Sequence, residues 1–261
     1  MIKELALFSP KLPKVRLGYP CDGGYVTALQ ALCRSEALFS YGIATDISFE
    51  TDYVEATNKK VYLFDHTIDN INPSSYVASN MIFTKEGLSG FKQQSTDNFL
   101  SHYNKYFQGD PKDDPSFFSG KVLFKADVEG CEYEFLLNTD MEKMSKATTG
   151  MLFEFHNLKD SKTRISFFEC LRKINKYFYL CHVHGNNNAG SFFYFEERFC
   201  ENLNKNYIEK FSIPSDIELS FVNKEIVSSA WRDDRKYPCS FLDRVNNILY
   251  PESNLDFLGE I

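Results

Sequence analysis

The stretch KVLFKADVEGCEYEFLL, residues 121–137, decides how this chain is read. An apolar run, Val122 to Phe124, drives into Lys125-Ala126-Asp127, and Glu129-Gly130 then turns the chain into a helical segment. Carboxylates gathered just past the carboxyl end of a buried strand stand where open α/β sheets bind ligands. Taken alone, the same pattern is equally well explained by an acidic turn that caps the next helix. The neighbouring segments decide between the two.

Working outward, apolar strand-like runs alternate with helical spacing, the pattern of an α/β fold with a mostly parallel sheet. Ala37 to Gly42, Val61 to Phe64, Asn80 to Phe83, Met151 to Phe155, Tyr177 to Val183 and Ile217 to Val222 read as further strands. Helical spacing places Phe49, Tyr53 and Ala56 on one face, then Phe99, Leu100, Tyr103 and Phe107, then Ile165, Phe168, Leu171 and Ile174. The loop from Gln108 to Ser119, with Pro111 and Pro115, breaks the pattern. One domain over residues 1–261 is expected: residues 1–35 as a helical extension, 36–223 as the core, and 224–261 as a trailing arm.

Four strand ends then carry polar groups in order: Gly42 with Asp46, Asp65-His66, Asp127 with Glu129, and Glu154 with His156-Asn157. A parallel sheet lines such ends along one edge, which makes a pocket the default reading. Asp65 has the placement of a carboxylate that accepts from the ribose hydroxyls of an adenosine, close to the turn after the first strand. As an alternative it caps a turn or helix. The segment Tyr41-Gly42-Ile43-Ala44-Thr45-Asp46 holds one glycine, so the G-x-G-x-x-G pyrophosphate nest is missing and a nicotinamide dinucleotide is disfavoured.

Lys125 to Glu132 resembles the K-x-D-x-E-G-x-E strand end of the FkbM-type S-adenosylmethionine (SAM) methyltransferases. Asp22-Gly23-Gly24-Tyr25, Leu38 to Gly42 with Ser48-Phe49-Glu50, Tyr62 to His66, Leu152 to Asn157, His182 to Asn187, Ile217 to Phe221 and Tyr237 to Asp243 are similar to one subgroup of that family. Short motifs in the right order over nearly the whole chain are more specific than any one of them. The resemblance implies a Rossmann-like class I methyltransferase fold: seven strands, mostly parallel, an antiparallel last strand, and helices on both faces. It implies SAM over the first two strand ends, with Tyr41, Gly42, Asp46, Asp65 and His66 as cofactor contacts and Asp22-Gly23-Gly24 closing over it. It also implies methyl transfer to oxygen, often on sugars, so a free, nucleotide-linked or surface-glycan sugar is the expected acceptor. The first strand departs from the commoner glycine-rich motif of SAM enzymes. An NAD-dependent sugar oxidoreductase and a non-catalytic binding protein of the same fold remain as alternatives.

A hydroxyl becomes a nucleophile for in-line displacement when a base takes its proton. Asp127, with Glu129 beside it, is the first choice for a residue touching the reaction, and His156 is the base best matched by its ordinary pKa. His182 and His184 alternate and so share a strand face; His184 is the third candidate. An H-x-H pair beside Asp127 and His156 also suits Zn, Fe or Mn, but a neutral histidine base needs no metal, and a metal-free enzyme is the expectation. The asparagines from Asn186 to Asn188 offer amides to sugar hydroxyls, or form a plain turn.

Composition narrows the classes. A net charge of −7 argues against a nucleic-acid partner. Seven cysteines without a C-x-x-C pair offer neither a zinc knuckle nor a disulfide framework, which suits a reducing cytoplasm. The N-terminal MIKELALFSPKLPK lacks a signal-peptide core, and no apolar run reaches transmembrane length, so membrane insertion is not expected.

Overall fold

The computed structural model describes residues 2–10, 13–107, 121–200, 205–227, 230–233, 236–255 and 258. Its central sheet has seven strands: β1 (Ala37–Tyr41), β2 (Lys60–Phe64), β3 (Met81–Thr84), β4 (Val122–Ala126), β5 (Thr148–Phe155), β6 (Phe178–Cys200) and β7 (Lys205–Asn223). They lie in the order β3-β2-β1-β4-β5-β7-β6. Strands β1 to β5 pair in parallel, and β7 runs antiparallel between β5 and β6. This is the class I methyltransferase arrangement, with its last strand inserted antiparallel.

Alternate side chains leave opposite faces of a strand, and both faces are covered. Phe39, Tyr41, Phe64, Phe124 and Phe153 enter one core with helices α4 (Phe99–Phe107), α5 (Cys131–Asn138), α6 (Met141–Ala147) and α7 (Ser161–Ile174). Leu38, Val61, Leu63, Leu123 and Leu152 enter the other with α1 (Leu29–Arg34) and α2 (Ser48–Thr57), while the one-turn α3 (Ser75–Ala78) adds Val77. Strands buried on both sides read as unbroken apolar runs, as Val122–Phe124 and Leu152–Phe153 do. The many phenylalanines concentrate in the first core, where Phe124 stacks on Phe135 at 5.7 Å and meets Phe99 edge-on at 5.4 Å.

Several expectations are corrected. Residues 1–35 do not form the expected helical extension: Lys14–Leu17 pairs antiparallel with Tyr25–Ala28, and among the described residues there only Ile2–Leu5 and α1 are helical. All of Tyr25–Ala28 is buried, so tertiary packing extends a segment too short to show its period. Asp22-Gly23-Gly24 accordingly leads into a strand. On α2 Val54, not Ala56, is buried; on α7 Ile165 faces solvent while Phe167 and Cys170 turn inward. Strand β6 does not stop at Val183 but continues with β7 as a long two-stranded ribbon, after a register irregularity between Asn186 and Ser191. The trailing arm returns to the amino terminus, where Ala230–Arg232 pairs with Phe8–Pro10. The loop Gln108 to Ser119 lies outside the described residues. Among the described residues, no helix is long and apolar enough to cross a membrane.

Candidate functional site

A cavity of about 530 Å³ opens at the carboxyl ends of β1 to β4. Its walls come from Gly42 and Ala44 after β1, Asp65 to Thr67 after β2, Gly87 to Ser89 beyond β3, and Asp127 to Cys131 after β4. Because β2 and β4 flank β1 on opposite sides, this is the topological switch point of the sheet, where doubly wound folds bind ligands.

Asp65 is nearly buried there, and its own loops hold it. Ala44 N donates to Oδ2 at 2.9 Å, while Thr67 N and Oγ1 donate to Oδ1 at 2.7 and 2.6 Å. A carboxylate offers roughly four acceptor positions, so about one remains for a ligand. Accepting from both hydroxyls of a ribose, as expected of Asp65, would exceed that capacity. The bond to Ala44 also holds that residue at φ 44°, a left-handed conformation unusual for alanine.

Gly42 lets the β1 and β4 ends meet. Its φ is 69°, and a Cβ there would lie 1.6 Å from the Asp127 carbonyl oxygen. Of the expected cofactor residues, Gly42, Asp65 and His66 line the cavity; Tyr41, Asp46, Asp22, Gly23 and Gly24 do not. The Tyr41 ring turns into the core and stacks on Phe64 at 4.6 Å. Asp46 accepts from Ser48 N at 2.8 Å at the start of α2, and Gly23 packs against its carboxylate. Asp22 accepts from the Asn246 amide. Sequence reasoning missed Leu88, Phe91 and Val128, which supply apolar wall; the signal was the Gly87-Leu88-Ser89 segment just past the third strand, where Gly87–Leu88 pairs with Thr96–Asp97.

Beside this cavity, β4, β5, β7 and β6 carry a row of ionisable side chains. Register places His184 opposite Glu218 and Glu218 opposite Glu154, and Asp127 follows the Ala126–Phe153 pair. The buried Tyr25 hydroxyl closes the row, 2.9 Å from Asp127 Oδ2 and 2.9 Å from Glu154 Oε2. Nothing local in Asp22-Gly23-Gly24-Tyr25 announces that role. Burial, then Asp127 and Glu218, push the Glu154 carboxyl up to about 8. Burial likewise raises Asp127, against the pull of Lys125 and His156.

His156 faces this group from the end of β5. Its Nε2 lies 3.5 Å from Asp127 Oδ1 and 3.6 Å from Glu129 Oε2, and its Nδ1 lies 3.4 Å from Glu132 Oε1. Burial alone would lower its pKa, but Glu132, Glu154 and Asp127 together raise it to about 10. These carboxylates favour the protonated ring, which works against the expected role of a neutral base.

His184 is not brought to Asp127 and His156. Its Nδ1 is 3.1 Å from Glu218 and its Nε2 is 3.3 Å from Glu252, and these carboxylates, against burial, raise it to about 10. His182 pairs with Asp243 at 2.6 Å. The asparagine run also serves the fold: Asn186 donates to Glu154 at 2.8 Å, and Asn187 donates to the carbonyls of Asn247 and Tyr250 in the arm. Asp127, Glu129 and His156 bring their ligand atoms within 4.8 Å of one another.

No family model matches the chain, and no curated protein matches it. Among solved structures, it is similar to a precorrin-6y C5,15-methyltransferase from Geobacter metallireducens, at 10% identity and TM-score 0.33 over 78% of this chain and 84% of that one. It is also similar to the Methanococcus jannaschii fibrillarin pre-rRNA processing protein, at 12% identity and TM-score 0.36 over 74% and 69%. A third likeness is to a precorrin 8w decarboxylase from Methanobacterium thermoautotrophicum, at 11% identity and TM-score 0.31 over 73% and 82%. The fold assignment rests on the strand order and the antiparallel β7.

Proposed function

We infer that this chain is a SAM-dependent methyltransferase acting on a hydroxyl, with a carbohydrate as the acceptor class. The observation that carries the reading is Asp65, a nearly buried carboxylate at the end of β2 that lines a cavity at the sheet's switch point. The turn it faces, Gly42 to Ala44, has no second glycine with which to wrap a pyrophosphate. SAM, when bound, supplies an electrophilic methyl group and carries no phosphate.

In this reading Asp65 accepts from one ribose hydroxyl, and Leu88, Phe91 and Val128 shield the adenine from water. Asp127 accepts the proton of the acceptor hydroxyl, since burial raises its basicity. His156, held positive, steadies that carboxylate until it is protonated. Glu129, mostly exposed at the rim, meets the acceptor. The sugar acceptor rests on the FkbM-type resemblance alone. Among the described residues no Lys or Arg lines the cavity, which favours a neutral sugar over a nucleotide-linked one.

Ligand-induced thermal shift tests the reading on the full chain. SAM and its demethylated product, S-adenosylhomocysteine, are expected to raise Tm, and NAD is not. Stabilisation by NAD alone favours an oxidoreductase; stabilisation by none of the three favours a binding protein.

A further inference from the structure

We propose that Asp127 Oδ1, Glu129 Oε2 and His156 Nε2 form a binding site for a divalent first-row transition-metal cation. The three atoms lie within 4.8 Å of one another. The two separations from His156 Nε2, 3.5 Å to Asp127 and 3.6 Å to Glu129, are too long for charge-assisted hydrogen bonds. They are the separations of ligands that share an ion. Two donors, each about 2.1 Å from a tetrahedral cation, stand roughly 3.4 Å apart.

Two further observations point to the same place. Asp127 Oδ1 is shut off from solvent and has no hydrogen-bond partner, although its Oδ2 is held at 2.9 Å by Tyr25. An unsatisfied carboxylate oxygen is costly unless something positive meets it. The other ring nitrogen of His156 faces the Glu132 carboxylate at 3.4 Å, and Glu132 also takes the His156 backbone N–H at 2.8 Å. A carboxylate behind a histidine is the usual support of a metal ligand: it fixes the ring and leaves Nε2 to bind. One imidazole with two carboxylates suits Mn, Fe, Co or Zn better than Mg.

Binding at Nε2 displaces that ring's proton to solvent, and the cation takes over the charge that the imidazolium otherwise holds among these carboxylates. Asp127 and Glu129 line the cavity, so open coordination positions face the ligand. The site is independent of the methyl-donor reading. Its use, lowering the pKa of an acceptor hydroxyl and orienting a sugar diol, rests on that reading.

The test is a Mn²⁺ titration of the chelator-treated full chain, followed by the loss of the free-ion paramagnetic resonance signal. One equivalent is expected to bind. Glu129→Gln, at a residue whose side chain is 86% exposed and whose loss leaves the fold intact, is expected to weaken binding at least about tenfold. Asp127→Asn is expected to abolish it. No saturable binding up to millimolar Mn²⁺, Co²⁺ or Zn²⁺, or unchanged affinity in either folded variant, overturns the proposal. S-Adenosylhomocysteine is titrated into the same samples. Its binding without metal binding removes the metal and leaves the methyl-donor reading, and the reverse outcome separates them the other way.

Discussion

The Tyr25 hydroxyl stands 2.9 Å from Glu154 Oε2 across 129 residues of sequence, tying the amino-terminal hairpin to the end of β5. It is also 2.9 Å from Asp127 Oδ2. A phenol has one proton to give, so both contacts are satisfied together only when a carboxyl brings a second. Glu154, pushed up to about 8, is the group that keeps one at neutral pH. The trio is a shared-proton cluster that aims Asp127 at the cavity.

Tyr25→Phe is therefore expected to cost about 1–3 kcal/mol of stability, because two buried carboxyl oxygens lose their hydroxyl partner. Tyr25 does not line the cavity, so the affinity for S-adenosylhomocysteine is expected to stay within about twofold. Urea unfolding and calorimetry on the same preparation check the two halves.

Two glycines with positive φ separate strain from collision. Gly42→Ala places a Cβ against the Asp127 carbonyl, and the expected outcome is loss of more than about 4 kcal/mol or failure to fold. Gly130, at φ 100°, has nothing within 4 Å of its would-be Cβ, so Gly130→Ala carries only the backbone cost of about 1–2 kcal/mol. Thermal unfolding of both variants reads the difference; equal losses would mean that the β1 and β4 ends are not in contact.

His184 makes stability depend on pH. With its pKa raised to about 10, the folded protein keeps a proton that the unfolded chain releases near the ordinary histidine value of about 6.5. The stabilisation is complete below about pH 6.5 and disappears as pH rises toward 10. Unfolding free energies at pH 6.5 and 9.5 are expected to differ by a few kcal/mol in the wild type and by clearly less in His184→Gln. An equal drop in both would assign the pH dependence to other groups.

The parallel core was legible because its strands are buried on both sides and read as plain apolar runs: Leu38-Phe39, Val61 to Phe64 and Val122 to Phe124. Asp65 was legible for a related reason, since a carboxylate directly after such a run has few other places to be. The Lys14–Leu17 and Tyr25–Ala28 hairpin was not, because four residues per strand show no period and the helix that follows, Leu29–Arg34, dominates the local pattern. The shared face of His182 and His184 was read from alternation. Their partners were not, because Glu218 and Asp243 come from β7 and the arm. The pull on the His156 proton was hidden for the same reason: an ordinary pKa does not include Asp127 and Glu132, which only the fold brings near.

The central claim is that the cavity at Asp65 holds the adenosyl group of SAM, and calorimetric titration of S-adenosylhomocysteine into wild type and Asp65→Ala tests it most directly. The account predicts one saturable site in the wild type, and an affinity at least about tenfold weaker in the variant, which loses a buried acceptor and the anchor of Ala44 and Thr67. Circular dichroism confirms that the variant is folded. No binding to the wild type at millimolar ligand, or equal affinity in the folded variant, would contradict it.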